Sequence, residues 1–182
     1  MNIIFTRPLI DTEDLMRNFF SSNHKIIHLP TLSITSANMQ PINTKDFDGL
    51  IFTSANAVRF LKLKNDEKNI KCFCVGNITE RSLRLKGFNN TIAASGTVNA
   101  LKNIILNSEK KIKNLAYFCG DVVSYELDKD LSSSGFKVKK IINYSSTKIT
   151  DLNSESLNLI KKNQPDITLI YSKRSAESFD EI

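Results

Sequence analysis

Four short stretches place a hydroxyl, an amide or a bare glycine directly after an apolar run: Thr53-Ser54, Gly76-Asn77, Ser95-Gly96 and Gly120-Asp121. The runs before them (Gly49 to Phe52, Lys71 to Val75, Thr91 to Ala94, Leu115 to Phe118) read as strands, the first of them buried, and segments of helical spacing follow. Small residues at such a hand-over leave backbone N–H groups accessible. In an open parallel sheet, that edge is where ligands bind. The chemistry on offer is hydrogen bonding to an anion or a polar small molecule. Nucleophiles are poorly supplied. The two histidines, His24 and His28, flank Lys25-Ile26-Ile27 and read as surface or structural residues. Cys72 and Cys74 alternate in an apolar strand and share a buried face; with Cys119 they form no CxxC pair, so no metal site is expected.

The elements that must carry these residues follow from periodicity. Asn2 to Thr6 is a strand ending in Thr6-Arg7-Pro8, Asp11 caps a helix with Leu15, Met16, Phe19 and Phe20 on one stripe, and Lys25 to Leu29 is a second strand closed by Pro30. Right-handed crossover makes those two strands parallel. Leu32 to Thr35 continues extended, and the polar stretch Ser36 to Lys45, with Pro41, marks a crossing into another domain. Strand and helix then alternate: helices are expected over Ala55 to Lys64, Glu80 to Lys86, Val98 to Asn107 and from Asp121 through Leu131, with stops at Gly87 and Gly135. Phe136 to Tyr144, bearing Lys137, Lys139 and Lys140, is expected at a sheet edge. Tyr144 to Thr147 is the return crossing, followed by a helix over 151–162, a strand over Asp166 to Tyr171 and a helix from Ser172. This is an α/β pattern with a doubly wound parallel sheet. Aligning Ser54 with Ser172 also aligns Asp48 with Asp166 and the apolar runs between, which points to two related halves. The counterpart of Gly76 would fall beyond Ile182, so the sequence reads as lacking a final strand–helix pair or more, with a naturally shortened protein as the other reading.

Composition narrows the class. With 182 residues, 41% of them apolar, the chain can bury a core. The formal charge of +6 favours anionic partners, whether polycarboxylates, phosphates or nucleic acid. The lysine groups (Lys62, Lys64, Lys68; Lys110, Lys111, Lys113) fall at expected helix ends, where they match the dipole, so nucleic acid is disfavoured. No segment reaches the roughly 18 apolar residues of a membrane span. Met1 to Arg7 does not open a signal peptide, and the default location is cytoplasmic. No strand precedes a dinucleotide fingerprint or a P-loop.

In chain order, Thr6-Arg7-Pro8, Leu29-Pro30, Leu50 to Ser54 with Ala57-Val58, Val75 to Thr79, Ser95-Gly96-Thr97 with Ala100-Leu101, Phe118-Cys119-Gly120, Tyr144 with Thr147, and Tyr171-Ser172 with Ser175-Ala176 form a series that resembles the uroporphyrinogen-III synthase family. The series spans essentially the whole chain, although family members run longer. The resemblance implies two flavodoxin-like parallel-sheet lobes joined by two crossings: residues 1–34 with 146–182, and residues 35–145. It implies a lyase of haem biosynthesis that closes linear hydroxymethylbilane, inverting the last pyrrole ring and releasing water. No cofactor, nucleic acid or membrane is implied, and the protein would be a cytoplasmic monomer. Tyr144 matches the tyrosine at the domain crossing, implied to help the hydroxyl depart. Implied contacts to the polycarboxylate substrate, across a cleft, are Arg7, Thr53, Ser54, Gly76, Asn77, Thr79, Gly96, Thr97, Gly120 and Ser172. Ser124 stands where many bacterial members carry an arginine, so a carboxylate contact there falls to Arg7, Lys173 or Arg174, with Arg7 first. The other reading left open is a non-catalytic two-lobed sensor or binding protein for an anionic small ligand.

Overall fold

The computed structural model describes residues 1–64, 68–152 and 154–181. Along the chain the strands are β1 (Asn2–Phe5), β2 (Lys25–His28), β3 (Leu32–Ser36), β4 (Gly49–Phe52), β5 (Lys71–Val75), β6 (Thr91–Ala94), β7 (Asn114–Gly120), β8 (Lys137–Lys148) and β9 (Ile167–Leu169). The helices are α1 (Glu13–Ser21), α2 (Ala55–Arg59), α3 (Gly76–Leu85), α4 (Val98–Leu106), α5 (Leu127–Ser133), α6 (Ser154–Lys162) and α7 (Lys173–Asp180). Backbone contacts divide the chain into two compact units, Met1–Ile34 with Ser146–Ile182, and Thr35–Ser145. Among the described residues no helix is long and apolar enough to cross a membrane.

The first unit holds a parallel sheet of order β2-β1-β9. Ile4, Ile27 and Leu29 are its buried core, packed by Leu152, Ile160 and Phe179. Helix α7 docks through hydroxyls as well. Ser175 Oγ donates to Thr6 Oγ1 at 3.2 Å and lies 2.7 Å from Thr31 Oγ1, and Ser178 Oγ donates to the Thr31 carbonyl at 2.7 Å. Because each buried hydroxyl has a partner, its loss of water is offset.

The second unit is built on the sheet order β3-β8-β7-β4-β5-β6. Strand β4 pairs in parallel with β5 and β7, β5 with β6, and β7 with β8. From β4 the chain winds outward to β6, with α2 and α3 covering one face; it then returns to β7 and β8, with α4 and α5 covering the other. The alternation of a strand's side chains sorts the core accordingly. Leu50 and Phe52 join Ala57, Val58, Leu83 and Phe118 on one face, and Ile51 joins Leu101, Ile105, Leu115 and Leu131 on the other. The winding reverses between β4 and β7, which makes their carboxyl ends the topological switch point. Cys72, Cys74 and Cys119 are free and buried, and burial is the main cause that pushes their thiols up to about 12, 11 and 11.

The Asp48/Asp166 repeat is a structural device used once in each unit. Asp48 Oδ2 accepts from the Lys113 and Asn114 amides at 2.9 and 2.7 Å, tying the start of β7 to β4. Asp166 Oδ2 accepts from the Asn2 amide at 2.7 Å, tying β1 to β9. In both, the aspartate amide answers the neighbouring strand's carbonyl: Asp48 N to Asn114 O at 2.8 Å, Asp166 N to Asn2 O at 2.9 Å.

Several elements differ from the sequence expectation, each for a local reason. Helix α1 has no Asp11 cap: Leu9–Asp11 is a 3-10 turn and Thr12 takes the cap position, its Oγ1 donating to the Pro8 carbonyl. Phe19 meets Phe5 edge-on at 5.9 Å, but Leu15 and Phe20 stay exposed. Helix α2 stops at Arg59 because Ile42 claims the following backbone, its N–H donating to Lys62 O and its carbonyl accepting from Lys64 N at 2.7 Å. Helix α3 starts at Gly76 rather than Glu80, and residues 121–126 form a loop before α5. Strand β8 runs on through the expected crossing, and β3 takes the edge beside it. Bonds from Ala37 N to Asn143 O and from Ile149 N to Thr31 O set that pairing antiparallel. Asn153, within the helix expected over 151–162, lies outside the described residues.

Candidate functional site

At the switch point, the Thr53-Ser54 pair ends β4 with one side chain for each face of the sheet. Continuing the alternation Ile51, Phe52, Thr53, Ser54, the threonine faces the α4/α5 layer and the serine the α2/α3 layer. A tyrosine meets each. Thr53 Oγ1 lies 3.1 Å from the Tyr117 hydroxyl. Ser54 hydrogen-bonds the Tyr144 hydroxyl while its Oγ accepts from Asn56 N at 3.2 Å, capping α2.

Tyr144 reaches this position through a bulge. The β7/β8 register runs Phe118 to Ile141, Cys119 to Ile142, and then skips Asn143, so that Gly120 opposes Tyr144. Regular alternation would put Tyr144 beside the exposed Ile142; the extra residue turns it onto the α2/α3 layer instead. Asn143 is fully buried there, its Nδ2 donating to the Ala57 carbonyl at 2.7 Å. The Tyr144 ring lies so close to Gly120 that a Cβ on Gly120 would sit 2.7 Å from Cε2 and 2.8 Å from Cζ. Phe60 stacks against the same ring, centroids 6.5 Å apart. Burial pushes the Tyr144 phenol up, against the bonds from Ser54 and the Gly120 backbone, so it is protonated at neutral pH.

The remaining strand ends of this unit line the same edge. Gly76 follows β5 with φ +77° and Gly96 follows β6 with φ +73°, conformations that favour glycine, and nothing packs where a Cβ would stand. Asn77 is exposed, whereas Thr79 is buried inside α3, a turn beyond the position that a cap would occupy. Thr97 caps α4, accepting from Ala100 N at 3.2 Å. With five residues and its Asn56 amide already bonded, α2 presents no helix terminus for an anion; the Thr53-Ser54 turn offers side-chain hydroxyls instead.

Arg7 and Ser172 belong to the other unit, after β1 and at the start of α7. The Arg7 guanidinium covers the Tyr171 ring at 4.6 Å, and its carbonyl meets His28 Nε2 at 2.8 Å. Ser172 caps α7, accepting from Ser175 N at 3.1 Å. Of the alternatives weighed for the missing arginine, Arg174 donates to the Ser146 carbonyl and Lys173 is an exposed partner of Glu177.

Tyr117 and Asn143 escaped the sequence reading. Tyr117 sits in a strand of otherwise apolar side chains, and its one signal was a hydroxyl two residues before Cys119 on a buried face. Asn143 carried none, because a bulge leaves no mark on a single sequence.

Among curated proteins, none matches the sequence. Among solved structures, a uroporphyrinogen-III synthetase from Helicobacter pylori superposes with a TM-score of 0.62 at 19% identity, over 98% of this chain and 76% of that one. A mutant uroporphyrinogen III synthase from the extremely thermophilic bacterium Thermus thermophilus gives 0.64 at 12% identity, over 100% and 77%. At such identities these likenesses establish the α/β fold. The family described as uroporphyrinogen-III synthase HemD matches residues 14–182. On that match, which covers nearly the whole chain, the protein belongs to the uroporphyrinogen-III synthase family.

Proposed function

We propose that the protein is a uroporphyrinogen-III synthase, a hydro-lyase that closes linear hydroxymethylbilane with inversion of the last pyrrole ring. The family match over residues 14–182 carries this reading. In the step assigned to Tyr144, its protonated phenol donates to the terminal hydroxyl as the carbon–oxygen bond breaks. Water leaves, and the electron pair of the pyrrole nitrogen stabilises the azafulvene-like cation. Attack by the substituted carbon of the last ring then forms a spirocyclic intermediate. The bond from that carbon to its original methylene breaks, and the released methylene bonds to the ring's free α-carbon. The proton lost from that carbon restores the pyrrole and balances the one given up by the phenol. Non-inverting closure occurs unaided, so the protein's work is to hold the conformer that favours inversion.

The same proposal gives carboxylates to donors at the strand ends of each unit taken by itself: Thr53, Ser54, the Gly76 and Asn77 amides, Gly96, Thr97 and Gly120 in the second unit, and Arg7 and Ser172 in the first. Thr79, being buried, would shape the α3 turn that carries Gly76 and Asn77. A cytoplasmic, monomeric protein completes the reading. The test supplies hydroxymethylbilane in a coupled assay and separates the product isomers. The type III isomer is expected; type I alone would refute the proposal.

A further inference from the structure

We infer that Tyr117 is a positioning residue that fixes the Thr53 hydroxyl as a donor toward a ligand carboxylate, an inference that rests on reading this edge as the hydroxymethylbilane site. Tyr117 lies on β7, 2% exposed, in the layer of Leu115, Leu127 and Leu131. Its hydroxyl has Thr53 Oγ1 as side-chain partner at 3.1 Å, and burial keeps the phenol protonated, pushed up to about 12. A phenol is the stronger acid of the two hydroxyls, so its proton goes to the threonine oxygen. That leaves the Thr53 proton to point away from Tyr117. Thr53 is half-buried at the strand end, where this proton can meet an acceptor. An ionised carboxylate has acceptors alone, so an outward donor selects for it, and a hydroxyl free to rotate would not.

A positioning residue acts through its partner, which a double-variant cycle detects. Tyr117→Phe, Thr53→Val and the pair are compared with wild type in the isomer-resolved assay, alongside thermal melting. Each single substitution should raise KM about 3- to 10-fold, with kcat changed less. The pair should be no worse than Thr53→Val alone. Losses that multiply in the pair, or wild-type kinetics in Tyr117→Phe, overturn the assignment. Thr53→Ser supplies a second arm should Tyr117→Phe fail to fold. If Tyr117 holds the hydroxyl, KM stays within about twofold of wild type; if the β-branch of threonine held it, KM rises tenfold and the inference falls. Type I product from the wild type overturns the functional reading itself, whereas an active wild type without the Tyr117 effect overturns this role alone.

Discussion

Gly120→Ala tests whether the close approach of Tyr144 to β7 shapes the site. The glycine shows no positive φ, so the obstacle to a methyl group is the Tyr144 ring, at 2.7, 2.8 and 3.1 Å from the new Cβ to Cε2, Cζ and Oη. Ordinary contact begins roughly 0.7 Å farther out. The ring cannot simply swing aside, because Phe60 stacks against it and Ser54 holds its hydroxyl. Overpacking of this kind costs about 1–3 kcal/mol, and the strained Ser54 bond adds about 1 kcal/mol. For a chain of this size the sum, about 2–4 kcal/mol, corresponds to a Tm lower by about 4–16 °C. Turnover should fall about tenfold or more as the Tyr144 hydroxyl leaves its place. The control is Tyr144→Ala, in which the same glycine substitution should add almost nothing to the stability loss. Melting followed by circular dichroism, with turnover from the isomer-resolved assay, reads both effects. Wild-type Tm and turnover in Gly120→Ala would show that the ring is not held there.

Other outcomes follow from the same geometry. Tyr144→Phe keeps the ring and removes the hydroxyl, so turnover should drop while Tm changes by no more than about 3 °C; unchanged turnover would remove Tyr144 from the mechanism. Asp48→Ala should cost about 1–2 kcal/mol in urea unfolding, and Asp166→Ala less, because Asp48 accepts from two amides and Asp166 from one; equal costs would refute the comparison. The Asn114 and Lys113 amides lower the Asp48 carboxyl, so its contribution is present above the unfolded value of about 3.9 and fades as pH falls through the lowered one, within the screening expected at the surface. In base the sign reverses. Cys72, Cys74, Cys119 and Tyr117 hold their protons more tightly folded than unfolded, so stability should fall from about pH 9 toward 12, and Tyr117→Phe should soften the upper part of that fall; an unchanged alkaline profile in that variant would contradict its burial as a phenol.

Much of the fold was legible because short-range physics writes it into composition. Gly49 to Phe52 and Lys71 to Val75 are apolar runs suited to the middle of a sheet, Thr91 to Ala94 is a shorter run that takes its edge, and small residues mark where each ends. The Asp48/Asp166 repeat was visible for the same reason, since one turn chemistry recurs at one spacing, although its purpose in tying strand starts together was not. Errors arose where a distant segment competed for backbone. Ile42 shortened α2, and β3 took the edge that the lysines of β8 had suggested.

The candidate site divides along the same line. Sequence alone determined which residues stand at the carboxyl edge, because strand length and helix onset are local and set Thr53, Ser54, Gly76, Gly96 and Gly120 at hand-over points. Tertiary structure decided which side chains meet there. The β7/β8 bulge turns Tyr144 onto the face of Ser54, and β7 brings Tyr117 to Thr53 from 64 residues away. A register shift of one residue reverses the face of every side chain beyond it, and it depends on the pairing of two strands rather than on either one.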